Sequence, residues 1–311
     1  MSELDSLAAA LTQGPVVLDG GLATQLAAVG HDLGDELWSA RLLHDDPEAI
    51  VDAHLAFLRA GASVITTASY QASISGFARR GYDDPAGLVR SSVALARDAV
   101  AQARQEGIHR PLWIAASVGP YGAVLADGSE YRGDYGLTRA ELVRFHAPRM
   151  RLLASAAADV LAIETIPDVR EAEAILQVLD GLGVPAWLSF TIRGDQTRAG
   201  QPLTDAFALA AGVPEVIAVG VNCSAPKDVS AAIPVAARVS GKPVVAYPNS
   251  GEGWDPQRRR WTGAPQLGDL PLEQWIDDGA RLIGGCCRVT PAHIAGIAAR
   301  LAKARAPGPQ R

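Results

Sequence analysis

Short apolar, β-branched runs alternate with longer amphipathic stretches along nearly the whole chain. The runs fall at residues 16–18, 63–67, 112–117, 160–163, 186–191, 216–221, 244–247 and 282–283. Most are flanked by Gly, Pro or Asp, the residues that turn a chain at the end of a buried strand. Between them, helical periodicity covers residues 47–60, 87–106, 139–157, 169–179, 205–211, 227–239 and 291–303. Asp46 stands as an N-cap to the first of these, and Gly61 follows its end. Thr138 with Glu141 has the form of a capping box, and Asp168 with Glu171 approximates one.

Eight strands separated by helices predict an α/β fold, a single (β/α)8 barrel, with an open doubly wound sheet as the alternative. The barrel should span residues 12–303, with 304–311, which contains Pro307 and Pro309, as a flexible C-terminal tail. Barrel enzymes place their chemistry at the C-terminal ends of the strands, and polar residues gather there in this chain. Asp19-Gly20-Gly21 follows the first strand, residues 67–71 the second, 117–120 the third and Glu164-Thr165 the fourth. Asn222-Cys223 follows the sixth, Asn249 the seventh and Gly284-Gly285-Cys286-Cys287 the eighth. That placement points to an enzyme.

Composition removes several other classes. The 311 residues are 48% hydrophobic, enough for a large core, and the net charge of -6 disfavours nucleic acid or an anionic membrane as partner. The one basic run, Arg258-Arg259-Arg260, reads as a solvated loop. No apolar stretch approaches the ~18 residues of a membrane span, and the N-terminus is acidic, so the expected location is cytoplasmic. Three cysteines are too few, and odd in number, for a disulfide framework; they suggest reduced thiols.

Those three are the most informative residues. Strands six and eight lie close around a barrel rim, so Cys223 can converge with Cys286 and Cys287. Neighbouring residues on a regular strand face opposite ways, so the vicinal pair needs a sharp turn, for which Gly284-Gly285 would supply backbone freedom. Three thiolates suit Zn2+ and leave its fourth position open, the catalytic pattern. A vicinal-disulfide redox protein, or a metal-binding barrel without turnover, remains open as an alternative reading of the same residues. His293, near the pair in sequence, reads as a helix N-terminal residue and not a ligand.

Six segments together carry a family pattern: LDGGLATQL (18–26), ITTASYQAS (65–73), ETIP (164–167), GVNCSAP (220–226), YPNSGEGWD (247–255) and IGGCCRVTPAHI (283–294). The set resembles the homocysteine S-methyltransferase family, which includes S-methylmethionine-dependent enzymes, betaine–homocysteine methyltransferase and the homocysteine domain of methionine synthase. The resemblance spans roughly residues 14–303. It implies that Cys223, Cys286 and Cys287 hold zinc. It also implies that Asp19 and Glu164 act catalytically by holding the amino group of homocysteine, and that backbone amides around Gly20 and Gly21 meet its carboxylate. Ser69 and Asn222 join the substrate-binding set, and Asn249 matches a position that completes the metal shell when no thiol is bound.

The implied reaction is methyl transfer from a sulfonium donor, S-methylmethionine or S-adenosylmethionine, to the homocysteine thiol, giving methionine. Betaine as donor, and selenocysteine or another thiol as acceptor, are the alternatives. A cobalamin-type donor is disfavoured: Asp52-Ala53-His54 imitates the start of its motif, but Phe57 stands where glycine is required. A methylsulfonium could rest over aromatic faces, and Tyr70, Tyr121 and Trp254 fall in rim loops. Thr67, Ser69, Ser117 and Thr191 read more simply as rim hydroxyls that satisfy backbone groups.

Overall fold

The computed structural model describes residues 6–34, 36–255, 260–267 and 270–305. Its main sheet has eight parallel strands: β1 (Val16–Val17), β2 (Val64–Thr66), β3 (Trp113–Val118), β4 (Val160–Ile166), β5 (Ala186–Phe190), β6 (Val216–Asn222), β7 (Val244–Tyr247) and β8 (Ala280–Ile283). Strands β2 to β8 pair in sequence order, and β1 pairs with β8. Closure comes at the remaining edge, where Leu18 bridges Val64, the Ser63 amide donates to the Val17 carbonyl and the Asp19 amide donates to the Val64 carbonyl. The sheet is a closed barrel, which rules out the open doubly wound alternative.

The helices explain why residues this apolar stay parallel and buried. Each crossover lays an amphipathic helix on the barrel exterior, so both strand faces are covered. The long ones are α4 (Pro47–Arg59), α6 (Pro85–Gln105), α8 (Arg139–Ser155), α9 (Val169–Leu179), α10 (Leu203–Ala211), α11 (Pro226–Ser240) and α13 (Pro291–Arg305), and the short ones are α1 (Leu7–Gln13), α2 (Leu22–Ala28), α3 (Leu42–Asp45), α5 (Ile74–Arg79), α7 (Tyr121–Leu125) and α12 (Leu272–Asp277). Asp46 caps α4 through the Ala49 amide, and Thr138 and Glu141 form the reciprocal box on α8. α6 starts earlier than expected, at Pro85, because Asp84 caps it and Pro at the first position needs no amide partner.

The second expected capping box is not one. Asp168 caps α9 alone, through the Arg170 amide, while the Glu171 carboxylate turns inward to the Tyr121 amide and the His146 ring. A buried acceptor drawn to two donors across the packing layer outcompetes the local cap.

The barrel interior is a second core. Leu18, Val64, Ala115, Val160, Ala162, Trp187, Ala218, Val245, Tyr247 and Leu282 fill it, and Leu7 and Leu11 of α1 (Leu7–Gln13) join the same cluster from below. α1 thus begins ahead of residue 12, and α13 runs two residues past 303. Residues 306–311 of the expected tail, and Arg258 and Arg259 of the basic run, lie outside the described residues. Leu11 is fully buried at the end away from the polar rim. Leu11→Ala should therefore cost about 2–4 kcal/mol of unfolding free energy, read by denaturant melts, and leave substrate KM unchanged.

Among the described residues no helix is long and apolar enough to cross a membrane. His54 sits within α4 with a buried ring that finds no hydrogen-bond partner among described residues, so the Asp52–His54 resemblance to a cobalamin motif has no site around it.

Candidate metal centre and substrate cleft

The strand ends bring the three cysteines together. Cys223 follows β6 with φ of 47°, a left-handed conformation held by its amide's bond to the Tyr247 carbonyl. After β8, the Cys286 amide donates to the Pro248 carbonyl and the Ser250 amide to the Cys287 carbonyl, tying the pair to the end of β7. Cys223 and Cys287 have their sulfurs 3.4 Å apart, and all three sulfurs lie within 4.8 Å of one another. All three thiols are unpaired by any disulfide.

Gly284 and Gly285 act differently from the expectation. Neither has a positive φ; the left-handed residue of this turn is Arg288, at 64°. What the two glycines provide is closeness. A Cβ on Gly284 would come within 2.6 Å of the Asp19 carbonyl, and one on Gly285 within 2.3 Å of the Val289 side chain. The end of β8 can therefore press against β1, which sets the cysteine pair beside the Asp19 turn.

Thiols this close titrate together. Hydrogen bonds from Cys286 and Cys287 hold the Cys223 thiol well below its usual range, and the same bonds to Cys223, followed by burial and the Cys223 charge, push the other two well up. The cluster accepts one negative charge readily and resists three. A bound cation would remove that resistance, and three convergent soft sulfurs are a donor set that holds a thiophilic metal ion.

Beside the cysteines lies a carboxylate pair. Asp19 is 1% exposed; its carboxylate accepts from the Thr66 amide at 2.7 Å and the Thr66 hydroxyl at 3.0 Å. Burial pushes this carboxyl well above the usual range, the Thr66 bonds offset part of that, and the Glu164 charge adds to it. Glu164 accepts from the Ser117 hydroxyl and from Tyr247, whose hydroxyl in turn accepts from Trp187 at 3.0 Å. Burial raises the Glu164 carboxyl to about 7. No basic side chain among the described residues pairs with either acid. Two buried acids without a counter-charge form a receptor for an ammonium group.

A bulge aims Glu164. The β4–β5 register shifts between Ile163 and Ile166, and Thr165 takes φ of 61°. Asn222 holds that bulge: its Oδ1 accepts from the Thr165 amide and the Ser189 hydroxyl, and its Nδ2 donates to the Thr165 hydroxyl. Ser69 is similarly engaged, donating to the Ser117 carbonyl and bonding Thr67. These two support the wall of the cleft.

Other expected contacts fare variously. The Gly21 amide donates to the Val289 carbonyl at 2.9 Å, a bond that the expected contact with a substrate carboxylate would have to share or displace. Gly20 and Gly21 are both needed for close approach, since a Cβ would meet the Val289 carbonyl at 2.5 Å and the Cys286 carbonyl at 2.6 Å respectively. Asn249 has its Oδ1 in a turn with the Gly251 amide. His293 accepts from the Thr290 amide, a helix-start role. Tyr70 interacts electrostatically with both Cys223 and Glu164, which places it at the cleft. Tyr121 instead packs on Tyr135 and Phe145. The Trp254 side chain lies outside the described residues.

Two residues had no sequence signal. Tyr131, on a short 3-10 turn (Ser129–Tyr131) after β3, brings its hydroxyl 3.3 Å from the Cys223 sulfur. Arg198, beyond the hairpin that follows β5, sets its guanidinium 5.7 Å from the centre of the Tyr131 ring. Both sit in loops without periodicity, where only the folded chain reveals what they reach.

Comparison with known proteins agrees with this geometry. The family model described as homocysteine S-methyltransferase matches residues 16–301. Among curated relatives, the homocysteine S-methyltransferase of Escherichia coli (strain K12) is 46% identical over 313 residues, covering 96% of this chain and 100% of the relative. A selenocysteine Se-methyltransferase of Brassica oleracea var. italica is 41% identical, covering 94% and 91%. Of solved structures, the metallated form of the homocysteine methyltransferase MmuM from Escherichia coli superposes with a TM-score of 0.84 at 45% identity, covering 93% of this chain and 96% of that one.

Proposed function

We propose, for a chain that belongs to the homocysteine S-methyltransferase family and is by that membership a methyltransferase, that its acceptor is homocysteine and its donor a sulfonium, S-methylmethionine foremost. The observation that carries the reading is the juxtaposition of three convergent cysteines with two buried, uncompensated carboxyls. A thiol-bearing amino acid presents the two groups this cleft answers.

Cys223, Cys286 and Cys287 would hold a zinc ion, which on binding supplies a deprotonated acceptor thiol at neutral pH. Asp19 and Glu164 bind the acceptor ammonium and orient its side chain toward the cysteines. The Gly20 amide, beside the occupied Gly21, is the group left to meet the acceptor carboxylate. Ser69, Asn222 and Asn249 keep supporting roles in this reading, Asn222 by fixing the bulge that aims Glu164. The acceptor sulfur then forms a bond to the donor's methyl carbon as the sulfonium C–S bond breaks, and a neutral thioether leaves with the electron pair. With S-methylmethionine as donor, both products are methionine. The barrel would act as one unit over residues 12–303, in a reducing cytoplasm where its thiols stay available.

The test is methionine formation from homocysteine by zinc-loaded protein, with S-methylmethionine, S-adenosylmethionine and betaine compared. Turnover fastest with S-methylmethionine supports the reading. No turnover with any of the three at full zinc would overturn it. Zinc far below one per chain, with a disulfide forming readily among the cysteines, would favour the thiol-redox reading instead.

The raised Glu164 pKa gives a pH dependence with a definite sign. Below about 7 the carboxyl carries a proton that it must lose to pair with an ammonium. Affinity for the amino-acid acceptor should therefore weaken as pH falls below about 7, approaching tenfold per unit. Methionine as a competitive inhibitor isolates the effect, because it has no thiol proton to lose. Its Ki should rise between pH 7 and 6 in the wild type, and in Glu164→Gln it should start higher and depend less steeply on pH, Asp19 being the acid that remains. A wild-type Ki that is flat over that range would remove Glu164 from this role.

A further inference from the structure

Every described arginine of this chain that is not exposed donates to a carbonyl or carboxylate, with one exception. Arg41 and Arg288 reach Asp45 and Glu252; Arg104, Arg110, Arg149, Arg281 and Arg300 reach backbone carbonyls. Arg198 has no hydrogen bond or ion pair from its side chain to any described residue, and its Nε is buried without a partner. A guanidinium cannot shed its charge, so a half-buried one without an acceptor is a costly arrangement unless something else supplies it.

The backbone around Arg198 is fixed. Its amide donates to the Thr191 carbonyl and the next amide, of Ala199, to the Pro167 carbonyl, pinning the segment to the ends of β5 and β4. Asp168 strengthens the anchor by accepting from Gln201 at 2.8 Å. Gly133, from the loop that carries Tyr131, comes so near that a Cβ there would stand 3.0 Å from Ala199. The guanidinium is thus held over the Tyr131 ring while the hydroxyl of that same ring touches Cys223. One tyrosine ring separates an unpartnered cation from the metal centre.

We propose that Arg198 binds the carboxylate of the methyl donor, so that this enzyme selects cationic donors bearing a carboxylate a few bonds from the methyl-carrying centre. The inference rests on the two-substrate methyl transfer proposed above. The carboxylate in question belongs to the donor and not to the acceptor. The acceptor's ammonium is claimed by Asp19 and Glu164, whose charged neighbours are each other and Cys223, whereas the charged neighbours of Arg198 are Arg193, Tyr131, Cys223 and Asp228. Cys223 is a charged neighbour of both Glu164 and Arg198, as it must be if the acceptor sulfur is to meet the donor's methyl carbon there. A guanidinium fork matches a carboxylate in two parallel hydrogen bonds. The same charge repels a bare sulfonium, so attraction and exclusion come from one residue.

The experiment compares zinc-loaded wild type, Arg198→Met and Arg198→Lys on S-methylmethionine and on its α-carboxamide, which keeps the sulfonium and lacks the carboxylate. Wild type should prefer the carboxylate donor, and Arg198→Met should lower kcat/KM for it by about 10- to 100-fold, as loss of a charged hydrogen-bonded pair does. Calorimetric affinity for S-methylmethionine without homocysteine should fall in parallel. The carboxamide should be used by Arg198→Met as well as by wild type or better, with homocysteine KM and zinc content held within about twofold, inside the tolerance of a distant substitution. Arg198→Lys, which keeps the charge and loses the fork, should fall between and shows that the position tolerates change. A donor KM unmoved in Arg198→Met, or a rise in homocysteine KM in its place, overturns the proposal. Wild type inactive on S-methylmethionine at full zinc overturns the donor reading beneath it, a result visible before any variant is made.

Discussion

Cys286→Ser should lose its metal and, with it, nearly all turnover. The substitution removes little volume, and the amide of residue 286 keeps its bond to the Pro248 carbonyl, so the turn after β8 has no reason to change. What is lost is an ionisable, soft ligand from a set of three. Changing even an outer-shell partner of a metal ligand costs roughly 10- to 100-fold in affinity, so removing a ligand should cost more than about a hundredfold. Without the metal, an alkyl thiol with a pKa near 8.5 is only a few per cent thiolate at pH 7, and its alignment is gone as well. Turnover should fall by about a thousandfold or more, with circular dichroism unchanged and zinc near zero by elemental analysis. A Cys286→Ser protein with full zinc and turnover within about tenfold of wild type would remove Cys286 from the ligand set, since a lost ligand costs far more than that.

The second large effect is expected at Asp19. Asp19→Asn keeps a carbonyl to accept from the Thr66 amide and keeps the buried shape, but removes a charge from the pair that faces the acceptor ammonium. Breaking a buried, hydrogen-bonded charge pair costs about 2–5 kcal/mol, so homocysteine KM should rise by ~30-fold or more on that scale. Zinc content and donor KM should hold, because none of the three sulfurs is touched. Glu164→Ala should act in the same direction with zinc retained. If either variant loses zinc, or if homocysteine KM stays put, the carboxylate pair has a different job. The cysteine and carboxylate variants thus separate metal binding from amino-acid recognition.

How much of this was legible beforehand varies by residue. The three cysteines were visible because thiols are rare and their strand-end positions converge in any barrel. Asp19 and Glu164 were visible through the same placement together with their motifs, DGG and ETIP. Glu171 has the spacing of a cap, but an inward-turning glutamate has the same spacing, and only packing against Tyr121 and His146 distinguishes the two. Gly284 and Gly285 were placed correctly but for the wrong reason, since an expected φ freedom proved to be close contact with β1 and Val289. Ser69 and Asn222 looked like substrate contacts, yet their polar atoms are largely engaged in holding the walls around Ser117 and Thr165.

The sequence by itself determined the alternation of strand and helix, the barrel, and the cluster of chemistry at one end of it. Those follow from local patterns: hydrophobic period, turn residues, and strand ends that must share a face once the sheet closes. Tertiary structure alone decided which side chains cross between loops. Tyr131 and Arg198 lie 67 positions apart, and the Cys223 thiol that Tyr131 touches lies 92 positions away from it. No periodicity records such contacts, because they depend on how two irregular loops pack rather than on any repeat along the chain.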